Sequence, residues 1–192
     1  MEIRAALAAD QSEIEAVAAG AFEEETDGRI VRLLRALADS GALRVSLVAV
    51  AEGEIVGHVA LSCSWVDARE RLVDVLVLSP LSVRPDSQRA GIGTALIAAA
   101  LAEAERLGAP AVFLEGGWDY YGSRGFSAAT PLGFTAPSSR IPLPAFQVAR
   151  LSAYEAWMTG AFVYCDAFWA HDAVGLRDPL LAQVEAHSGH AG

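Results

Sequence analysis

The spacing of apolar residues changes along the chain, and each spacing predicts one kind of element. Between residues 10 and 41, apolar side chains recur every three or four positions, which predicts two helices. Asp10 and Glu13 have the spacing of a capping box at the start of the first helix. Asp27 is placed to cap the second helix, which we expect to end at Gly41.

Shorter runs rich in Val and Leu predict strands. Residues 45–51 and 54–62 are expected to pair as a hairpin, because Gly53 can take the positive backbone angle that a tight turn needs. Residues 65–71 are more polar and predict a loop. Further strands are predicted at 3–7, 111–114, 146–151 and 162–165, and a last helix from 178 onward.

The strongest pattern lies in the middle of the chain. Residues 74–83 are rich in Val and Leu, with few polar residues, and predict a buried strand. Pro80 cannot donate to a neighbouring strand, so we expect this strand to bulge or break there. A polar turn with Gly91 and Gly93 follows, and from Thr94 the helical spacing returns.

A strand that passes through a glycine turn into a helix suits an anionic ligand. The first N–H groups of the helix have no partner within it and carry partial positive charge, and glycine lets an anion come close. Arg84 and Arg89 add cations on either side of the turn. The turn is therefore a candidate phosphate site, and a connection without a ligand is the alternative.

Two well-known phosphate loops do not fit this turn. A Walker A loop ends in Gly-Lys-Ser/Thr, which the sequence lacks. A dinucleotide-binding fingerprint needs a small third residue where this sequence has Leu96. The pattern that remains is Gln88-x-x-Gly91-x-Gly93 after a buried strand.

This pattern resembles the acetyl-CoA signature of the Gcn5-related N-acetyltransferase (GNAT) superfamily, in which Gln/Arg-x-x-Gly-x-Gly/Ala binds the pyrophosphate of the cofactor. The resemblance implies an α/β fold with a mixed, mostly antiparallel central sheet and helices on both faces. It also implies that the central strand splays from its neighbour in a V. The pantetheine arm would enter this V and pair with the main chain of Leu81 and Val83.

The cofactor implied by the resemblance is acetyl-CoA, acting as a co-substrate, with no metal. The cofactor-binding positions that the resemblance implies lie at the strand end, in the turn and in the first helical turn. They are Leu81, Ser82, Val83, Gln88, Arg89, Ala90, Gly91, Ile92, Gly93 and Thr94.

A second segment with family resemblance follows the next predicted strand. Residues 121–126 are similar to the superfamily's Tyr-x-x-x-Gly-Phe element, and the wider segment resembles a branch that carries Gly-Asp-Pro-x-Tyr-Tyr-x-Arg-Phe-Gly-Phe. The residues that agree with this branch are Tyr120, Tyr121, Gly125 and Phe126. The residues that depart from it are Gly117, Trp118, Ser123 and Arg124.

The resemblance also suggests the catalytic residues. A phenol stays protonated at neutral pH and can protonate a departing thiolate, and Tyr121 matches the family's general acid by position. Tyr120 is the second candidate, and packing is the alternative role for both tyrosines. Glu115 is the candidate general base at the end of a strand. Asp74, Glu24 and ordered water are the alternatives.

Composition limits the class of protein and its partners. With 192 residues, 53% of them hydrophobic, the chain fits one acyltransferase domain, with a core of about residues 1–150 and an extension over 151–192. A net charge of -10 argues against nucleic acid. No apolar run is long enough for a membrane span, and two cysteines without metal-ligand spacing favour the cytoplasm.

The predicted function is acetyl-CoA-dependent N-acetylation of a primary amine of a small molecule or peptide, by direct attack in a ternary complex. The alternatives are an acyl-CoA-binding module without catalysis, and an acyltransferase of the same fold with another acyl group or acceptor. The partners are thus acetyl-CoA and an amine. The aromatic C-terminal part is compatible with a homodimer contact and equally with a core.

Overall fold

A computed structural model describes residues 1–22 and 28–188, with backbone alone for 187 and 188. Strands and helices follow one another in the order in which the sequence predicts most of them. The strands are β1 (Glu2–Ala5), β2 (Leu43–Ala51), β3 (Glu54–Ala68), β4 (Leu72–Val83), β5 (Ala111–Glu115), β6 (Ser127–Ala128), β7 (Phe134–Thr135), β8 (Phe146–Arg150) and β9 (Gly160–Tyr164). The helices are α1 (Gln11–Ala21), α2 (Arg29–Asp39), α3 (Ile92–Arg106), α4 (Trp118–Gly122), α5 (Asp166–Ala170) and α6 (Leu180–Ser188).

The strands form one twisted sheet with the order β1-β2-β3-β4-β5-β8-β6, and β9 pairs with β3 and β7. Only the β4–β5 and β7–β9 pairs are parallel among the described residues. The hairpin of β2 and β3 turns at Glu52 and Gly53, which both have positive φ. The prediction of a mixed, mostly antiparallel sheet is confirmed.

Strand β3 is longer than its sequence pattern predicts. The expected polar loop over residues 65–71 is wrong, because the strand continues to Ala68. Its second half pairs with β4 on one side and with β9 on the other, from Ser64 opposite Tyr164 to Ala68 opposite Gly160. A distant strand thus completes the ladder, and no local pattern signals its arrival.

Helices cover both faces of the sheet. Helix α3 packs Leu96, Ile97 and Ala100 into one core cluster, while α1 and α2 contribute to clusters with other sheet residues. Three-to-four spacing explains these contacts, since it gives each helix one apolar stripe. The arrangement confirms helices on both faces.

The start of α1 differs from the expected capping box. Asp10 is the N-cap residue, but its side chain makes no capping bond. Its carboxylate accepts hydrogen bonds from the Leu7 N–H at 2.7 Å and from Arg4 Nη1 at 2.6 Å. Glu13 accepts a hydrogen bond from the Ile55 N–H at 3.4 Å. Asp27 lies outside the described residues, and Gly28 is the N-cap of α2.

The C-terminal segment, which begins at residue 151, packs against the same core as the rest of the described chain. Phe162, Tyr164 and Phe168 are buried and belong to one cluster with Phe113 and Phe146. These aromatic residues therefore serve as core. None of the described helices combines the length and the apolar composition that a membrane crossing requires.

Candidate active site

The site begins where β4 and β5 part. Only Leu76 opposite Val112 and Val77 opposite Phe113 pair between these strands. Beyond Val77, β4 no longer pairs with β5 but stays paired with β3. Ser79 and Pro80 lie where β3 has a single residue between Val59 and Leu61. The bulge predicted at proline is confirmed, and so is the V-shaped gap.

Main-chain groups of β4 face this gap. The Arg84 N–H donates to the Val56 carbonyl of β3 at 2.9 Å. Because backbone direction alternates along a strand, Leu81 and Val83 present their N–H and carbonyl groups away from β3. The Val83 carbonyl accepts a hydrogen bond from Gln88 Nε2 at 3.2 Å. The gap therefore offers an open strand edge to a ligand.

The turn after β4 ends at the start of a helix. Gly91 is the N-cap of α3 and has a φ of 82°, which favours glycine. A Cβ atom on Gly93 would lie 2.3 Å from the Tyr120 hydroxyl oxygen, so glycine is needed for this contact. The first N–H groups of α3 remain free of helical partners and can receive an anion.

Two cavities, each of about 620 Å³, adjoin the gap and the glycine turn. The cradle cavity is lined by the turn and the start of α3, including Gln88, Arg89 and Gly93. The inner cavity lies between the gap, α4 and the C-terminal segment, and Glu115 lines it. Tyr121 lines both cavities. Its side chain therefore lies at their junction.

Tyr121 is held by packing. Its ring lies beside Gly116, where a Cβ atom would lie 2.4 Å from Cε2. The ring also makes edge contacts with Tyr120 and Phe126, at centroid distances of 5.0 and 5.9 Å. Burial raises the pKa of Tyr121 to about 12. The phenol is protonated throughout the physiological range.

Glu115 stands at the end of β5 with both carboxylate oxygens bonded. The Tyr164 hydroxyl donates to Oε1 at 2.6 Å, and the Gly175 N–H donates to Oε2 at 2.9 Å. Burial raises the pKa of Glu115, while these two hydrogen bonds act in the opposite direction. The result is a fixed carboxyl group with a raised pKa beside the gap.

The chain matches the acetyltransferase (GNAT) family over residues 10–126. It belongs to the GNAT acetyltransferase family. A curated relative, uncharacterized N-acetyltransferase YjhQ of Escherichia coli strain K12, is 31% identical over 140 residues, which is 71% of this chain and 72% of YjhQ. The family assignment makes this GNAT protein an acyltransferase.

Two solved structures are similar to this GNAT protein. One is the GNAT family N-acetyltransferase YhbS of Escherichia coli in complex with CoA, with 26% identity, 87% of this chain and 91% of that chain covered, and a TM-score of 0.78. The other is a GNAT family acetyltransferase of Brucella melitensis in complex with acetyl-CoA, with 29% identity, coverage of 87% and 97%, and a TM-score of 0.72.

Most of the predicted cofactor residues of this acetyltransferase line the cradle cavity. They are Leu81, Val83, Gln88, Arg89, Gly91, Ile92, Gly93 and Thr94. Ser82 and Ala90 are not among the lining residues. Ser82 is buried and pairs with His58 of β3, which turns it away from the gap. The expected flanking cation Arg84 is bound to Glu54 and Asp86, each at 2.7 Å.

Two residues at the GNAT site were missed by sequence reasoning. Arg124 lines the cradle cavity, where its Nε donates to Thr94 Oγ1 at 2.9 Å and its guanidinium lies 3.8 Å from the centre of the Tyr120 ring. Its departure from the narrower branch was the only signal. Tyr164 binds Glu115, and no signal in the sequence joins these two residues.

The alternative bases are placed differently. Asp74 is exposed and does not line the inner cavity, so it is not positioned beside Glu115. Glu24 lies outside the described residues. Among the residues that the structure does describe, Glu115 supplies the carboxyl group of the inner cavity. Tyr120 lines the cradle cavity, with Tyr121 between it and the inner cavity.

Proposed function

We propose that this protein transfers the acetyl group of acetyl-CoA to a primary amine, by direct attack in a ternary complex. The observation that carries the proposal is the position of Tyr121 in the wall of both cavities. A side chain there can reach the thioester sulfur from the cradle side and the acceptor from the inner side. In this proposal the two substrates enter through separate spaces and react at their junction.

The cradle cavity accounts for the cofactor. In this proposal the diphosphate of acetyl-CoA binds at the first N–H groups of α3, beside Arg89. Backbone dipoles and a cation favour an anion there. The pantetheine arm lies along the open edge of β4 and pairs with Leu81 and Val83. The similar structures from Escherichia coli and Brucella melitensis, in complex with CoA and acetyl-CoA, support a cofactor of this class.

The inner cavity accounts for the attack. A neutral amine bonds to the carbonyl carbon of the thioester, and Glu115 receives the amine proton directly or through water. The raised pKa of the Glu115 carboxyl makes its ionised form a better base than an exposed glutamate. The Leu81 N–H faces the gap and is the candidate donor to the oxyanion, since Pro80 has no N–H to offer.

Tyr121 acts on the leaving group. When the carbon–sulfur bond breaks, its hydroxyl donates a hydrogen bond, and then a proton, to the departing thiolate. Burial raises the pKa of Tyr121 to about 12, which keeps the phenol protonated before the reaction.

A direct transfer needs no cysteine nucleophile at the site. Among the described residues that line the two cavities, none is a cysteine. The free thiols of Cys63 and Cys165 lie elsewhere in the fold. This supports a ternary complex over an acyl-enzyme intermediate. A cytoplasmic location remains a prediction from the cysteine usage.

The test combines binding with turnover. Calorimetry of the purified protein with acetyl-CoA should give one site per chain, and release of free CoA thiol should appear when a suitable amine is added. Binding without amine-dependent thiol release would identify a binding module without catalysis. Absence of binding to both CoA and acetyl-CoA would overturn the whole proposal.

A further inference from the structure

We infer that the acceptor is a small primary amine carried on an apolar body, of the arylalkyl or branched-alkyl class. This inference rests on the proposed function and names the substrate class of the inner cavity. Three properties of that cavity carry it: the chemistry of its walls, the presence of one carboxyl group among its described lining residues, and its size.

Apolar side chains make most of the walls. Leu78 and Pro80 come from β4, Phe168 from α5, and Leu176 from the segment after it. Trp118 stands at the edge of the cavity with 62% of its surface exposed. An apolar ligand body would cover this ring and the walls, and its burial would favour binding.

The charges at the cavity select against other amines. None of the described side chains that line it is cationic, so a phosphate or carboxylate on the acceptor finds no counter-ion there. The charge of Arg140 lowers the pKa of Glu115, but Arg140 is not a lining residue. Its Nη2 lies 3.8 Å from Asp172 Oδ1. A charged group buried without a partner costs free energy, so sugar phosphates and amino acids are disfavoured.

The described lining residues offer one carboxyl group, that of Glu115, and this also selects against polyamines. Both oxygens of Glu115 already accept hydrogen bonds, from Tyr164 and from the Gly175 N–H. One amine can still reach the remaining lone pairs, because a carboxylate offers about four acceptor positions. A second ammonium group on the same acceptor would have no carboxylate among the described lining residues.

The size of the cavity indicates a small molecule. Its volume of about 620 Å³ lies within the range of small-ligand pockets, and the acetyl end of the cofactor takes part of this space. A single aromatic or branched side chain with a short amine arm fits the remainder. We therefore assign the site to a free small amine.

The experiment compares acceptors that differ in one property at a time. Steady-state kcat/KM is measured by thiol release for 2-phenylethylamine and 3-methylbutylamine, against ethanolamine, 1,4-diaminobutane and glucosamine 6-phosphate. Phenylalanine has the same body as 2-phenylethylamine with an added carboxylate, and a tripeptide that begins with phenylalanine tests a peptide acceptor. The two apolar amines should exceed every other acceptor by roughly tenfold or more.

Two variants test the wall itself. Trp118→Ala should lower kcat/KM for 2-phenylethylamine by roughly fivefold to tenfold and leave acetyl-CoA affinity unchanged. Leu176→Glu should reverse the preference between 2-phenylethylamine and 1,4-diaminobutane, because it adds a carboxylate to the cavity wall. Leu180→Glu is the matched control: Leu180 is exposed and is not among the residues lining the cavity, so this variant should keep the original preference.

The outcomes separate the inference from the proposed function. Preferred transfer to a diamine, a sugar phosphate, an amino acid or the tripeptide overturns the inference and leaves acetyl transfer standing. Transfer to none of the amines, with acetyl-CoA binding intact, overturns the proposed function and the inference together. A Leu176→Glu preference identical to that of the unaltered protein removes this wall from the acceptor site.

Discussion

The two cavities are built in different ways. The cradle cavity takes most of its wall from one continuous stretch, from Leu81 to Thr94, with a few residues from α1 and α4 added. The inner cavity draws on β4, β5, α4, α5 and the segments around Pro142 and Leu176. The first is local in sequence and the second is assembled by the fold.

This difference separates what is shared from what is particular. Where a strand, a turn and a helix follow one another, backbone N–H groups form the anion site. One short sequence motif is therefore enough to specify it. An assembled cavity owes its shape to side chains that meet only after folding, and these can vary without changing the motif. Residues that are close in sequence thus determine the choice of cofactor. Residues that meet only on folding determine the choice of acceptor.

The largest expected effect concerns Tyr121, which lines both cavities. Tyr121→Phe should lower kcat by roughly 100-fold or more, because it removes the proton donor and little else. Acetyl-CoA affinity, measured by calorimetry, should change by less than about twofold, since no phosphate contact is lost.

Tyr120→Phe is the matched control for that change. Tyr120 lines only the cradle cavity of the two, so its hydroxyl can be removed with a small effect on kcat. The opposite result, a large loss in Tyr120→Phe and a small one in Tyr121→Phe, would move the acid to Tyr120.

The next effect tests the inner cavity. Glu115→Gln should lower kcat/KM by roughly 10- to 100-fold and remove one acidic limb from the pH profile. The sign follows from the raised pKa of Glu115: its base form appears only as pH rises above the ordinary glutamate value of 4.5. Activity should therefore increase with pH through that raised pKa.

Tyr164→Phe sharpens this prediction. The hydrogen bond from Tyr164 lowers the pKa of Glu115, so its removal should move the limb to higher pH. The ionisation of the acceptor amine is the same in assays of the unaltered protein, Glu115→Gln and Tyr164→Phe. Differences between their pH profiles therefore report the ionisation of Glu115. Identical limbs in all three would assign proton removal to water.

A smaller effect is expected in the cradle cavity. Arg89→Gln should weaken acetyl-CoA binding by roughly tenfold, because a charge-assisted contact with the diphosphate is lost. Arg84→Gln is the matched control and should stay within about twofold, since Arg84 is engaged by Glu54 and Asp86. Equal losses in calorimetry for both variants would contradict this division between the two arginines.

The smallest effect on turnover is expected away from both cavities. His58 is buried in β3 with its Nε2 2.9 Å from Ser46 Oγ, and burial lowers its pKa from 6.5 to about 4. The unfolded chain therefore binds a proton first as pH falls from 6.5 to 4. From this source, urea unfolding should show about 2 kcal/mol less stability at pH 5 than at pH 8.

His58→Gln separates acid sensitivity of the fold from acid sensitivity of catalysis. The variant should lose this pH-dependent part of its stability and keep its kcat at pH 8. An unchanged difference in stability between pH 8 and pH 5 would show that other groups cause the acid loss.

Sequence predicted the local parts of this fold well. The strand, turn and helix from residue 74 to residue 107 were found because apolar spacing, proline and glycine all act within a few positions. The helix begins at Ile92, two residues earlier than expected from its apolar stripe. The bulge at Pro80 follows from a missing N–H, which is also a local property.

Most of the errors involve partners that are distant in the chain. Residues 65–68 form a strand because β9 arrives from residue 160, and Arg84 is unavailable because Glu54 reaches it from the preceding hairpin. The setting of Glu115 likewise depends on Tyr164 and Gly175. Asp10 is a local exception, because Arg4 and the Leu7 N–H, both within six residues of it, bind its carboxylate and no capping bond forms.

The parting of β4 and β5 has a consequence for the abundance of the protein as well as for its chemistry. A thioester arm that pairs with the open edge binds only the folded chain, so it shifts the folding equilibrium by mass action. With free cofactor a hundredfold above its Kd, the gain is about 2.7 kcal/mol. Under the proposed function, a cell with a high concentration of acetyl-CoA would therefore also keep more of this protein in its folded form.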